Sequence, residues 1–247
     1  YIYESVAPKV HLASISGGTD ICGCFMLGWP ELPVFAGQIQ VPALGMDVQV
    51  LNSDGTQTKP GDKGELVCAN TFPSAPLFFW GDTENEKYIA SYFDKFSDIW
   101  THGDFVEPTL ESGYIMHGRS DATLNVAGVR IGTAEIYRIT EEFEEVLESL
   151  AVAQKWDSDT RVVLFLKLKL GSELTTDLSD QIKQALKKKA SPRHVPALIL
   201  QAPDFPRTKS GKLVELAVTR AVNKEPIDNL GALANPDSLE WFKDLNL

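Results

Sequence analysis

Cations, cysteines and long apolar runs are what this sequence has least of. Its 23 Lys and Arg face 34 Asp and Glu, a formal net charge of −11. That balance argues against nucleic acid or an anionic membrane surface as a partner, since both need clustered cations. No apolar run approaches the ~20 residues that cross a bilayer, so no membrane span is expected. There are three cysteines in 247 residues. Cys22 and Cys24 are separated by one residue, not by the two of a metal or redox pair, and no histidine stands beside them. They and Cys68 are read as buried reduced thiols, which suits the cytosol. The chain starts at Tyr1 with no Met, no basic leader and no signal-type apolar stretch. A nucleotide P-loop is also missing, because Pro206–Lys212 ends in Gly-Lys without the spacing Gly-x4-Gly-Lys-Ser/Thr. What remains is an ordinary globular composition, 43% apolar and 23% charged, long enough for two domains.

Residues 9–16 read as a buried strand that delivers Gly17-Gly18-Thr19-Asp20 into a loop. A hydroxyl and a carboxylate after two glycines can hold a phosphate and a hydrated Mg²⁺. The same four residues also suit a plain polar turn in which Asp20 caps a helix. From Gly37 to Gly118 short strands alternate with turns, Ser53-Asp54-Gly55 being a hairpin signal, so a small β-barrel or sandwich is expected. Aromatics crowd at Phe78, Phe79, Trp80, Tyr88, Tyr92, Phe93, Phe96 and Trp100. Acids, not cations, surround them, which points to core or domain contact and away from base stacking. Trp100-Thr-His-Gly-Asp104 ends a strand at a bend, where a carboxylate can accept two hydrogen bonds from vicinal ribose hydroxyls. His102 has no metal partner at a useful spacing and is given no catalytic role.

The stretch 118–137 carries Arg119 and Arg130, whose planar forks suit phosphate or ribose oxygens. It also carries Gly128 and Gly132, which allow close backbone approach. A hairpin feeding a surface helix would show the same residues. A helix is expected from Thr133 with Ile136, Ile139, Phe143, Val146, Leu147 and Leu150 inward, and Glu141, Glu142, Glu144, Glu145 and Glu148 on a solvated face. A strand over 161–169, a helix over 177–189, a strand over 195–200 and a helix from Leu213 complete an α/β unit. Lys187, Lys188, Lys189 and Arg193 form a dense basic patch. Cations at a helix C-terminus complement the macrodipole, and they can equally bind phosphate.

Four separated segments, Ser16–Asp20, Trp100–Asp104, 118–137 and Pro206–Lys212, resemble in this order the later core motifs of the adenylate-forming superfamily. That superfamily holds the acyl-CoA synthetases, luciferases and peptide-synthetase adenylation domains. The runs 14–21, 190–200 and 231–236 bring the wording nearest to its acetoacetate-activating members. The resemblance implies a mixed α/β (α+β) fold. Residues 1–120 would be the C-terminal part of a large domain with a β-barrel-like remnant, and 121–247 a small mobile α/β lid with a C-terminal tail. The superfamily's upstream phosphate loop is absent, so the chain is expected to be the C-terminal part of a longer enzyme, with the missing N-terminal part as its partner. The implied reaction takes acetoacetate, ATP and CoA through an acyl-adenylate to AMP, pyrophosphate and the thioester. The alternatives are a ligase for acetate or a medium-chain acid, or a non-catalytic nucleotide-binding fragment.

The implied roles follow residue by residue. Gly18, Thr19 and Asp20 serve the ATP phosphates, with Asp20 also on Mg²⁺, and Asp104 and Arg119 serve the ribose. Asn125 and Arg130 also belong to the nucleotide site, Asp121 is the hinge, and Gly128, Lys188 and Arg193 meet CoA. Lys212 is the catalytic lysine, its ammonium bridging the attacking carboxylate and the α-phosphate. The chain departs from its relatives at Asp20, where many have Glu, at Asn125, where many have Lys, and at Ser16, where many have a ring near the adenine.

Overall fold

The computed structural model describes residues 1–126, 129–157, 159–227 and 230–247. The chain divides into two units, Tyr1–Ser120 and Asp121–Leu247.

In the first unit, β1 (Ser16–Gly18), β2 (Gly23–Leu27) and β3 (Val41–Pro42) form an antiparallel sheet. A second antiparallel sheet runs in chain order through β4 (Val48–Leu51), β5 (Gly64–Cys68), β6 (Trp100–Pro108) and β7 (Tyr114–Arg119). Helix α1 (Glu86–Tyr92) lies in the β5–β6 connection. Phe25 and Met26 of the first sheet share a core with Leu66, Trp100 and Val106 of the second. Both sheets are open, so the expected barrel-like form is not seen among the described residues. Four strands are too few to curl round a core of their own, and they pack as a layer instead. Residues 9–15 also differ from expectation. They form no strand, and Val10, Leu12 and Ile15 are exposed. Pairing begins only at Ser16, where β2 supplies hydrogen-bond partners. Of the three thiols only Cys68 is buried; Cys22 is exposed and Cys24 intermediate. Cys22 falls in the turn between β1 and β2, at φ 46°, where its side chain cannot reach the core.

The second unit opens with a hairpin of β8 (Leu124–Val126) and β9 (Val129–Ile131), followed by α2 (Thr133–Thr140). A three-stranded sheet follows, built from β10 (Val146–Trp156), β11 (Asp159–Leu168) and β12 (Leu198–Gln201). β11 lies in the centre, antiparallel to β10 and parallel to β12. Helix α3 (Thr176–Lys189) connects the parallel pair, as such pairs require. α4 (Glu215–Val222) and α5 (Ser238–Lys243) come last.

Side chains alternate across a strand, and β10 and β11 use both faces. Leu150, Val152, Val163 and Phe165 enter a core with α4 and α5. Ala151, Val162, Leu164 and Leu166 enter another with α2 and α3. The continuous apolar run of β11 is thus that of a strand covered on both sides. α3 shows why it forms where it does: Thr175 Oγ1 accepts from the Leu178 N–H at 3.1 Å. Leu178, Ile182 and Leu186 are buried one turn apart, and three lysines close the last turn.

The helix expected to run on to Leu150 stops at Thr140. Its acid-rich continuation keeps helical spacing, but Val146 and Leu150 sit in different cores, on opposite faces of β10. The acids are not a purely solvated face either. Glu141 accepts from the Ser149 N–H and hydroxyl at 3.1 and 3.0 Å, Glu142 pairs with Lys189, and Glu148 pairs with Arg207. No helix among the described residues is long and apolar enough to cross a membrane.

Phe165 is fully buried at the middle of the central strand. Phe165→Ala should lower the unfolding free energy by roughly 3–5 kcal/mol. Leu170→Ala, at a fully exposed position, should change it by less than ~0.5 kcal/mol. Denaturant midpoints of the two variants check the contrast.

Candidate functional site

In the first unit the candidate site grows from β6 at Gly103-Asp104. Gly103 has φ +81°, a bend that favours glycine, and a Cβ there would lie 2.5 Å from Arg119 Nη2 and displace the guanidinium. The bend leaves Asp104 buried, and a buried carboxylate needs partners. Arg119, its register partner on β7, donates from Nη1 to Asp104 Oδ1 at 3.3 Å and to the His102 carbonyl at 3.0 Å. Ser16 on β1 donates to Oδ2, also at 3.3 Å.

His102 ties the same spot to the glycine loop. Its Nε2 donates to the Gly17 carbonyl at 3.2 Å and lies 3.6 Å from Asp104 Oδ2. Gly18 follows, where an added Cβ would come within 3.0 Å of His102 Cε1. Thr19 and Asp20 are exposed beyond it. Asp20 accepts a hydrogen bond from the Tyr92 hydroxyl, and the Tyr92 ring stacks on Trp100 with centroids 3.7 Å apart and planes 16° apart. Burial and the Asp20 carboxylate together push the Tyr92 phenol well above its ordinary range, so it remains a donor. The structure therefore brings Gly18, Thr19, Asp20, Asp104 and Arg119 to one place.

Three members of this cluster were not singled out for the site by sequence: Ser16 and His102 as partners of Asp104, and Tyr92 as partner of Asp20. Tyr92 lies 72 positions from Asp20, and nothing in spacing announces the pair. Trp100, Tyr88, Phe93 and Phe79 pack edge to face around the Tyr92 ring or each other, as expected of a core. Phe78 and Trp80 instead stand exposed.

In the second unit the sequence-predicted residues lie on separate elements. Asp121 is exposed in the short turn Ser120–Ala122. Asn125 and Arg130 oppose each other across the β8–β9 hairpin, and Arg130 Nη2 donates to Thr123 Oγ1 at 3.2 Å. Gly128 lies outside the described residues. Lys188 is exposed in the last turn of α3 and Arg193 in the following turn, where its N–H donates to Ser191 Oγ at 3.2 Å. Lys212 is exposed at the end of a tight loop. Its carbonyl accepts from the Thr208 N–H at 2.9 Å and its N–H donates to Thr208 Oγ1 at 3.1 Å. Gly211 makes the bend at φ +86°. No group of three or more His, Cys, Asp or Glu among the described residues is placed to hold a metal.

Burial holds the His102 imidazole below its usual pKa of 6.5, with Asp104 opposing the shift. The unfolded chain then binds a proton that the folded chain refuses, so the contribution of His102 to stability is greatest above pH 6.5 and falls as the pH drops below it. We expect the unfolding free energy to decline between pH 7 and pH 5.5, and His102→Gln to flatten that slope, in denaturant titrations across the range.

No family model matches the chain. Individual proteins do. It is 54% identical over 245 residues to the acetoacetyl-coenzyme A synthetase of Rhizobium meliloti, covering 99% of this chain and 38% of that protein. Against the acetoacetyl-CoA synthetase of Xenopus tropicalis it is 44% identical over 247 residues, covering 99% of this chain and 37% of the relative. The solved acetoacetyl-CoA synthetase from Streptomyces lividans superposes with a TM-score of 0.87 at 39% identity, over 94% of this chain and 35% of that one. The chain thus spans less than two fifths of the length of the curated relatives it matches. Over nearly its whole length it is similar to a portion of proteins named acetoacetyl-CoA synthetase.

Proposed function

We propose that the chain is the C-terminal portion of a ligase that joins acetoacetate to CoA through an acyl-adenylate. The whole-length identity with acetoacetyl-CoA synthetases carries the reading. The buried Asp104, paired with the exposed Arg119 and set against the Gly18–Asp20 loop, supports it. In this reading residues 1–120 belong to the large adenylating domain, their sheets being the remnant of its barrel-like part, and 121–247 form the mobile lid. The three free thiols suit a reducing compartment such as the cytosol.

The residues then divide the work by charge. Asp104 accepts from the ribose hydroxyls while Arg119, already bound to it, donates to nucleotide oxygens. Thr19 and the Gly18 backbone meet the α-phosphate, with Asn125 and Arg130 on the nucleotide as well. Asp20, a lone exposed carboxylate, fits Mg²⁺ carried mainly by phosphates and water, to which it adds one ligand. Lys212 places its ammonium between the acetoacetate carboxylate and the α-phosphate, offsetting the repulsion of two anions that must approach. After pyrophosphate leaves, the lid turns about Asp121 and withdraws Lys212. Gly128, Lys188 and Arg193 then receive CoA, whose thiol attacks the acyl carbonyl and expels AMP.

Removing one electrostatic contact of this kind costs roughly 3 kcal/mol, or about 10²-fold in rate. Lys212→Ala in the intact enzyme should therefore lower ATP–pyrophosphate exchange by roughly 10²-fold or more. Acetoacetate should support the fastest exchange among acetoacetate, acetate, butyrate and amino acids. Faster exchange with another acid would reassign the substrate within the same family.

A further inference from the structure

Of the three cations in the 206–212 segment, Arg207 has the fixed side chain. Its Nη2 pairs with the Glu148 carboxylate on β10, the two side chains being only 28% and 29% exposed. Its Nη1 donates to the Gly211 carbonyl at 2.8 Å. The Arg207 backbone is clamped as well. Its N–H donates to Asn235 Oδ1 at 2.8 Å, and its carbonyl accepts from the Ala234 N–H at 2.8 Å. Asn235 in turn donates to Asp204 Oδ2 at 3.1 Å and to the Phe205 carbonyl at 2.9 Å. Asp204 pairs with Lys167 of β11 at 2.6 Å. The guanidinium is thus fastened to the sheet at one end and reaches the tip of the loop at the other.

The acceptor at that tip is the carbonyl of the Gly211–Lys212 peptide. A peptide is planar, so holding its oxygen from Arg207 while its N–H donates to Thr208 Oγ1 sets the plane from which the lysine side chain departs. Gly211, at φ +86° with no atom near its missing Cβ, has no side chain to restrain that plane, and glycine moves readily between backbone basins. The Lys212 side chain itself has no hydrogen bond or ion pair among the described residues. Restraint on where its ammonium points therefore has to come through the backbone, where Thr208 holds the Lys212 N–H and carbonyl and Arg207 holds the Gly211 carbonyl.

We infer that Arg207, oriented by Glu148, is a positioning residue that sets the direction of Lys212 for acyl-adenylate formation. The inference rests on Lys212 being the adenylation lysine. Because Lys212 serves the first half-reaction and is withdrawn in the second, loss of Arg207 harms one and spares the other.

The test uses the intact enzyme with Arg207→Ala, Arg207→Lys, Lys212→Ala and the double variant Arg207→Ala/Lys212→Ala. ATP–pyrophosphate exchange is measured for each, together with thioester formation from supplied acyl-adenylate and CoA. Misplacing a catalytic group costs up to roughly 10²-fold, so Arg207→Ala should lose about 10- to 100-fold in exchange, in kcat rather than in the KM for ATP. Thioester formation should stay at the parent level. The double variant should be no worse than Lys212→Ala. Arg207→Lys should fall between parent and alanine variant, since one ammonium cannot serve Glu148 and the Gly211 carbonyl with the same planar geometry. It also keeps the charge if the alanine variant fails to fold. Equal loss in both half-reactions, or losses that multiply in the double variant, would overturn the inference. An unimpaired Lys212→Ala would instead overturn the catalytic assignment of the lysine itself.

Discussion

A sheet that must be covered on both faces is the constraint on which the second unit depends. β11 places Val163 and Phe165 on one side and Val162, Leu164 and Leu166 on the other, all essentially inaccessible to water. At about 25 cal/mol per Å² of apolar area removed from water, neither face could be left open. α2 and α3 therefore close one side, and α4 and α5 the other. The loop that carries Lys212 is the connection leading into α4. Its position follows from the need to bring α4 back over β10, and the 232–235 segment straps it to Arg207 and Lys209. The chemistry proposed for Lys212 thus sits on a rigid layer even though the side chain is exposed.

The first unit is governed by a different requirement, the burial of a charge. A carboxylate taken out of water is tolerated when it is paired and hydrogen-bonded. Asp104 meets that condition by drawing on Ser16 of one sheet and Arg119 of the other. The same contacts that make Asp104 affordable bring the glycine loop beside it. In a chain with a net charge of −11, Arg119 also supplies local positive charge beside that loop, in keeping with the nucleotide role proposed for it.

Much of this was legible in the sequence. The helix expected over 177–189 was readable because Leu178, Ile182 and Leu186 recur at one-turn intervals and lysines stand at the end; its Thr175 cap, which starts it one residue earlier, was found in the structure. The Ser16–Asp20, Trp100–Asp104, 118–137 and Pro206–Lys212 motifs were readable as blocks, because each is contiguous. The end of α2 was not. Residues 141–150 keep a helical period, and only antiparallel pairing with β11 makes Val146–Trp156 a strand. The run 9–16 failed in the opposite way: its apolar residues suggested a strand, but no partner strand covers it among the described residues. The open sheets in place of a barrel belong to the same class, since closure depends on strand number and shear and not on any local pattern.

The sequence by itself determined the periodic elements, the shortage of cations that argues against nucleic acid, and the residue types of the four motifs. Those are properties of neighbours along the chain, where spacing and composition act directly. The tertiary structure alone decided which of those residues meet. Tyr92 reaches Asp20, Ser16 reaches Asp104, and Arg207 joins Glu148 to the peptide before Lys212. Tyr92 and Asp20, Ser16 and Asp104, and Arg207 and Glu148 are each separated by tens of residues, and such pairs are made by strand register and helix packing, which arise from burying the whole apolar surface at once and leave no local trace in the sequence.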